Sequence, residues 1–197
     1  MKRGMRQSLI VNNFFTLASI VIISITIILY SKYIANDEYE EITKEKVTPL
    51  SCEKDTFSTY KVYNQKLLND SMKALDKGYY KLEGSYVKSK YLKSIIEDFI
   101  SIDEVDSFYI NAIGKNAKKD INKFLSIKYE IIENDKKDPN KKSKDCKLCS
   151  GSILTSFMAD DKRIFKFYTD FKYYDKNEIA SRIDCTIKVY RNHVKKL

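Results

Sequence analysis

Between Gln7 and Ser31 the chain carries no charge for 25 consecutive residues. It is also short of the residues that catalytic and cofactor sites draw on. There is one histidine, His193, four residues from the C-terminus. A Ser-His-Asp or Cys-His system would have to be built on it, and a tail histidine reads as exposed. Five glycines, at positions 4, 78, 84, 114 and 151, leave no Gly-rich phosphate loop and no dinucleotide fingerprint. Asp103, Glu104 and Asp106 cluster but lack the periodic spacing of an EF-hand loop. They read as a solvated turn rather than a Ca²⁺ site. No catalytic residue, cofactor or metal is assigned, and nothing points to an enzyme.

What stands in the uncharged stretch is apolar. Leu9, Ile10, Val11, Phe14, Phe15, Leu17, Ile20 to Ile23, Ile25 and Ile27 to Leu29 carry it. An α-helix needs about 20 such residues to cross a bilayer. Lys2, Arg3 and Arg6 precede it. After Lys32 come the acidic residues Asp37, Glu38, Glu40 and Glu41. This bias keeps the short N-terminal end in the cytoplasm. The run is longer than the core of a cleaved secretory signal, and Tyr33-Ile34-Ala35 is a poor cleavage site. The expected organisation is a cytoplasmic N-terminus over 1–8 and a transmembrane anchor over 9–34. A stalk follows over 35–50, then a domain outside the cytoplasm over 51–197. Lys2-Arg3-Gly4-Met5 before an apolar helix resembles the leader of type IV prepilins, which is cut after the glycine. Leu9 stands where those leaders carry Glu, and Arg6 and Gln7 where they are apolar, so the chain is not assigned to that family.

About 160 residues remain, enough for one domain with a proper core. Removing Lys2, Arg3, Arg6 and Lys32 leaves 32 basic and 27 acidic residues, an excess of five. The excess is scattered and makes no nucleic-acid patch. Arg191, Lys195 and Lys196 read as a solvated tail.

Residue spacing predicts an α+β domain, with two to three helices followed by an antiparallel meander of about four strands. Tyr60, Tyr63, Leu67, Leu68, Met72 and Leu75 recur at helical spacing, and Gly78 ends the pattern. Val87, Tyr91, Ile95, Phe99 and Ile102 predict a second helix capped by Ser85. A third is expected around Asn116 to Phe124. Ile127, Tyr129 and Ile131 then alternate with Lys128, Glu130 and Ile132, and Phe165, Phe167, Thr169, Phe171 and Tyr173 with Lys166, Tyr168, Asp170 and Lys172. Ile153 to Met158 is a short apolar strand. Ile183, Cys185, Ile187 and Val189 form the last alternating set. Asp160-Asp161-Lys162 and Asp175 to Glu178 are short enough for hairpins. Asn134 to Gly151 holds six lysines, three aspartates and Pro139, which predicts a long exposed loop.

Cys52, Cys146, Cys149 and Cys185 would all lie in an oxidising compartment, so disulfides are expected. Three connectivities are open. Cys146-Lys147-Leu148-Cys149 either closes on itself or reaches out, and a bond from Cys185 to the loop would pin that loop to the sheet. Zinc held by four thiolates and a redox-active CxxC are the competing readings. An anchor, a stalk and one domain without a catalytic site fit a non-enzymatic component of a cell-envelope assembly, such as a secretion or pilus-type machine. Such a protein would have protein partners in the envelope and no nucleic-acid partner. The alternative is an exported sensory or ligand-binding domain. Only six or so residues precede the membrane, so a sensor of this kind would signal through a partner.

Overall fold

The computed structural model describes residues 14–26, 28, 47–118, 124–138 and 148–194. The chain falls into two compact units, Met1–Glu41 and Ile42–Leu197. In the first, residues 14–26 form a helix (α1) whose side chains are largely exposed. Phe14 is 67% exposed and Ile22 64%. The hydroxyls of Ser19, Ser24 and Thr26 donate back to the carbonyls of Phe15, Ile20 and Ile22 at 2.8–2.9 Å. Their polar groups are therefore satisfied within the helix itself. Among the described residues no helix is long and apolar enough to cross a membrane. Residues 9–13, 27 and 29–34 of the expected span lie outside those described, as do 35–46 of the expected stalk.

The second unit opens with a 3-10 turn, Ser51–Lys54. It continues with β1 (Ser58–Val62), α2 (Gln65–Lys77), β2 (Tyr80–Val87), α3 (Ile96–Phe99) and α4 (Ile102–Ile113). It ends with β3 (Leu125–Glu133), β4 (Gly151–Ala159), β5 (Lys162–Phe171) and α5 (Lys176–Asn192). The strands form one sheet in the order β1-β5-β4-β3-β2. β2 runs parallel to β3, and the other pairs are antiparallel. The domain is thus α+β with a five-stranded mixed sheet, in place of the expected four-stranded antiparallel meander.

The period-two pattern fixes which face is buried. Ile127, Phe157 and Phe165 stand in register across β3, β4 and β5, as do Tyr129, Thr155 and Phe167. All six are essentially inaccessible. The helices pack on this face, where the ring of Tyr190 from α5 stacks on Phe157 at 4.0 Å between centroids. Each large side chain buried here is worth about 2–3 kcal/mol. Alternate residues such as Lys128, Glu130, Lys166 and Tyr168 carry the other face.

Several expected elements differ. The alternating set from Ile183 to Val189 is not a strand but lies within α5. That helix contacts α4, β4, β5 and the 3-10 turn, so it is buried around most of its girth and Ile179, Arg182, Thr186 and Tyr190 are covered too. Asp175 is not in a hairpin. It caps α5, accepting from the Asn177 amide at 2.8 Å. The first expected helix is α2 with its two leading residues displaced. Tyr60 belongs to the edge strand β1, and the helix begins where Asn64 accepts from the Leu67 amide at 2.9 Å. Gly78 does end it, in the left-handed conformation at φ 77°, which favours glycine. The second expected helix is mostly absent. Ser85 and Val87 lie in β2, and only Ile96–Phe99 is helical before α4. Of the third expected helix, residues 116–118 are non-helical and 119–123 lie outside the described residues. The hairpin at Asp160-Asp161 is as expected. Both residues have positive φ, 48° and 59°, as a two-residue type I′ turn requires.

Candidate functional site

Three strands finish at one edge of the sheet. Val87 pairs with Ile132, Glu133 with Gly151, and Gly151 with Phe171. The segments that leave this edge, Lys88 to Ile95, Leu148 to Ser150 and Lys172 to Tyr174, therefore gather together. Between them lies a cleft of about 320 Å³.

Glu133 is the organising residue. It occupies the next inward position of β3 after Tyr129 and Ile131, so a carboxylate replaces an apolar side chain where the strand pattern points into the domain. It is 7% exposed. Its oxygens accept from the backbone amides of Ser89 at 3.1 Å and Ile95 at 3.0 Å, and from the Tyr174 hydroxyl at 2.9 Å. Burial alone would raise its pKa, but the donors of Ser94, Ile95, Ser89 and Tyr174 outweigh it and hold the carboxyl below its ordinary value. Asp135 repeats the device two residues on. It accepts from the amides of Lys90 at 2.7 Å and Tyr91 at 2.8 Å. These amides likewise overcome the cost of desolvation and lower its pKa. Tyr174 titrates above its ordinary value, because of burial and then because it donates to Glu133. The two carboxylates thus hold down the irregular 89–95 segment. Glu178 does the same for the β5–α5 connection, accepting from the amides of Lys172 and Tyr173 at 2.8 and 3.0 Å.

What the cleft offers a visitor is set by the remaining lining. Leu92, Ile95 and the Tyr174 ring are apolar, and Lys93 and Lys136 supply charge. With the Glu133 oxygens filled by four donors, the cleft is arranged to hold a group by contact and charge.

Of the readings weighed above, disulfides are what the structure holds among the described residues. Cys52 and Cys185 form a disulfide with Cα atoms 5.8 Å apart. It joins the 3-10 turn to the middle of α5, so Cys185 does not reach the loop. Cys149 is also disulfide-bonded. Cys146 and most of the Lys-rich loop, 139–147, lie outside the described residues. No group of three or more His, Cys, Asp or Glu side chains is placed to hold a metal among the described residues. Asp103 and Glu104 are not in a turn but in the first turn of α4, where Ser101 caps the helix and acidic residues suit its dipole. Asp106 accepts from the Tyr129 hydroxyl at 2.6 Å.

His193 is not exposed. It is 5% accessible, its ring lies 4.0 Å from that of Tyr60, and Nδ1 sits 2.8 Å from the Val189 carbonyl. Arg191 is not a free tail residue either, since it donates to the Ile113 carbonyl at 2.9 Å. Both belong to the end of α5, which the strand reading of that segment concealed. Glu133, Tyr174, Lys93 and Lys136 were not singled out from the sequence. The one available signal was Glu133, an acidic residue at an inward register position.

No known protein family, curated protein or solved structure matches the chain.

Proposed function

We propose that the chain is a single-pass membrane protein that carries its α+β domain outside the cytoplasm and serves as a non-enzymatic component of a cell-envelope assembly. The observation that carries this is the uncharged 25-residue run with its basic N-terminal flank. Two features support it. The apolar side chains of α1 are exposed, which costs little only against lipid or another protein. The Cys52–Cys185 disulfide suits an oxidising compartment. A second reading, an exported domain that binds a small ligand and acts through a partner, is favoured by the cleft at Glu133.

Crosslinking in intact cells with a membrane-impermeant lysine reagent tests the assembly role. The expected result is recovery of the chain in covalent adducts with envelope proteins, above the monomer mass. Recovery only as a monomer that retains a small molecule would overturn the assembly role in favour of the second reading.

A further inference from the structure

We infer that the cleft between the 89–95 segment and the β3–β4 edge docks a short, acidic segment of a partner protein that carries apolar side chains. This rests on the reading that the domain acts by binding another protein.

Charge comes first. Three carboxylates at this edge, Glu133, Asp135 and Glu178, are turned onto backbone amides. The lysines are not matched in the same way. Lys88 pairs with Glu97, and Lys176 with Glu104. Lys90, Lys93, Lys136, Lys137 and Lys172 have no ion pair among the described residues. All five are exposed. Glu133, Asp135 and Glu178 are spent on holding the loops, and a carboxylate-bearing visitor complements the five lysines.

Apolar area comes second. Ile95 inside the cleft is 43% exposed, and beyond it Tyr91 is 52%, Tyr173 70% and Leu148 86% exposed. Large apolar side chains gathered at one edge and ringed by charge mark an interaction surface. The volume of about 320 Å³ is near the lower limit for a small-molecule pocket, and the apolar surface runs on past the cleft. An extended segment, with one side chain seated beside Leu92 and Tyr174 and its carboxylates on Lys93 and Lys136, uses both. A flat anionic bilayer would reach the rim lysines but not the concave floor.

The test uses the full chain in zwitterionic detergent. The probe is a fluorescein-labelled hexapeptide alternating Glu with Leu and Phe, read by fluorescence anisotropy. Two analogues replace its Glu by Lys, or its Leu and Phe by Ser. The acidic apolar peptide should bind at least about tenfold tighter than either analogue and weaken as salt rises. Lys93→Glu/Lys136→Glu should lower its affinity about tenfold with the melting curve unchanged, and Lys93→Arg/Lys136→Arg should retain it. Equal binding of the Lys analogue, or indifference to the charge reversal in a folded variant, would overturn the inference. So would binding confined to vesicles containing phosphatidylglycerol, which would reassign the rim to lipid. None of these readouts depends on which side of the membrane the domain occupies, so failure here and failure of the topology are separable.

Discussion

Opening the Cys52–Cys185 bond should lower the stability of the domain by several kcal/mol. The cysteines are 133 residues apart in sequence. In the chain-entropy picture, closing so long a loop restricts the unfolded chain by about 5 kcal/mol, while measured effects centre on about 2–4 kcal/mol. For a domain of this size each kcal/mol shifts the melting temperature by about 2–4 °C, so a fall of about 5–15 °C is expected. The substitution matters. Cys185 is 1% exposed, and serine there would bury an unpaired hydroxyl at a cost of its own. Cys52→Ala/Cys185→Ala avoids that confusion. Melting followed by circular dichroism, with and without reductant, reads the effect. Reductant should lower the native protein towards the variant and move the variant much less. A variant that melts within about 2 °C of the oxidised native protein would refute the reasoning, because no such loop would then be constraining the unfolded state.

Three further outcomes follow from packing and charge. In Gly151→Ala the added Cβ would lie 2.4 Å from both the Ile132 carbonyl oxygen and the Phe171 ring. Part of that clash is with backbone that cannot step aside, so a loss of about 1–3 kcal/mol is expected in chemical denaturation. Tyr109 and Thr155 share a fully buried hydroxyl pair at 2.6 Å. Tyr109→Phe should cost about 1–3 kcal/mol, and adding Thr155→Val should recover part of it, since both polar groups are then gone. Glu133 has a folded-state pKa below its ordinary 4.5. Its contribution is therefore present above that pH and lost as pH falls through the folded value. Glu133→Gln should be less stable than the native protein at neutral pH, and the gap should narrow in melts taken at progressively lower pH. A gap independent of pH would show that the carboxylate's charge is not what holds the 89–95 segment.

The parts of the fold legible in the sequence are those where one face is buried and the other wet. β3 and β5 alternate cleanly because the helices cover a single side of the sheet, and α2 shows helical spacing for the same reason. α5 was misread because its wet stripe, Asn177, Ser181, Lys188 and Asn192, is narrow. α5 is covered by α4, the sheet and the 3-10 turn. Its Ile183, Thr186, Ile187 and Val189 are β-branched and mimic strand composition. The correcting signal was local: Asp175 with Glu178 three residues on is the start of a helix. β2 was hidden for another reason. It is an edge strand whose alternation of Tyr80, Leu82 and Tyr86 with Lys81, Glu83 and Ser85 is interrupted at Gly84, and the residues after it happen to recur every fourth position. The site was less legible than the fold. It is assembled from four separate stretches of the chain, and its carboxylates act on backbone amides, which leave no mark in side-chain patterning.

The topology is the central claim, and Lys128→Cys tests it most directly. That side chain is 55% exposed on the open face of β3, clear of the disulfides. Cells stripped of their wall but otherwise intact are treated with a membrane-impermeant maleimide, and the chain is then recovered from the membrane fraction. The account predicts labelling of the variant in intact cells at the level reached after permeabilisation. A membrane-bound variant that is labelled only once the membrane has been breached would contradict it.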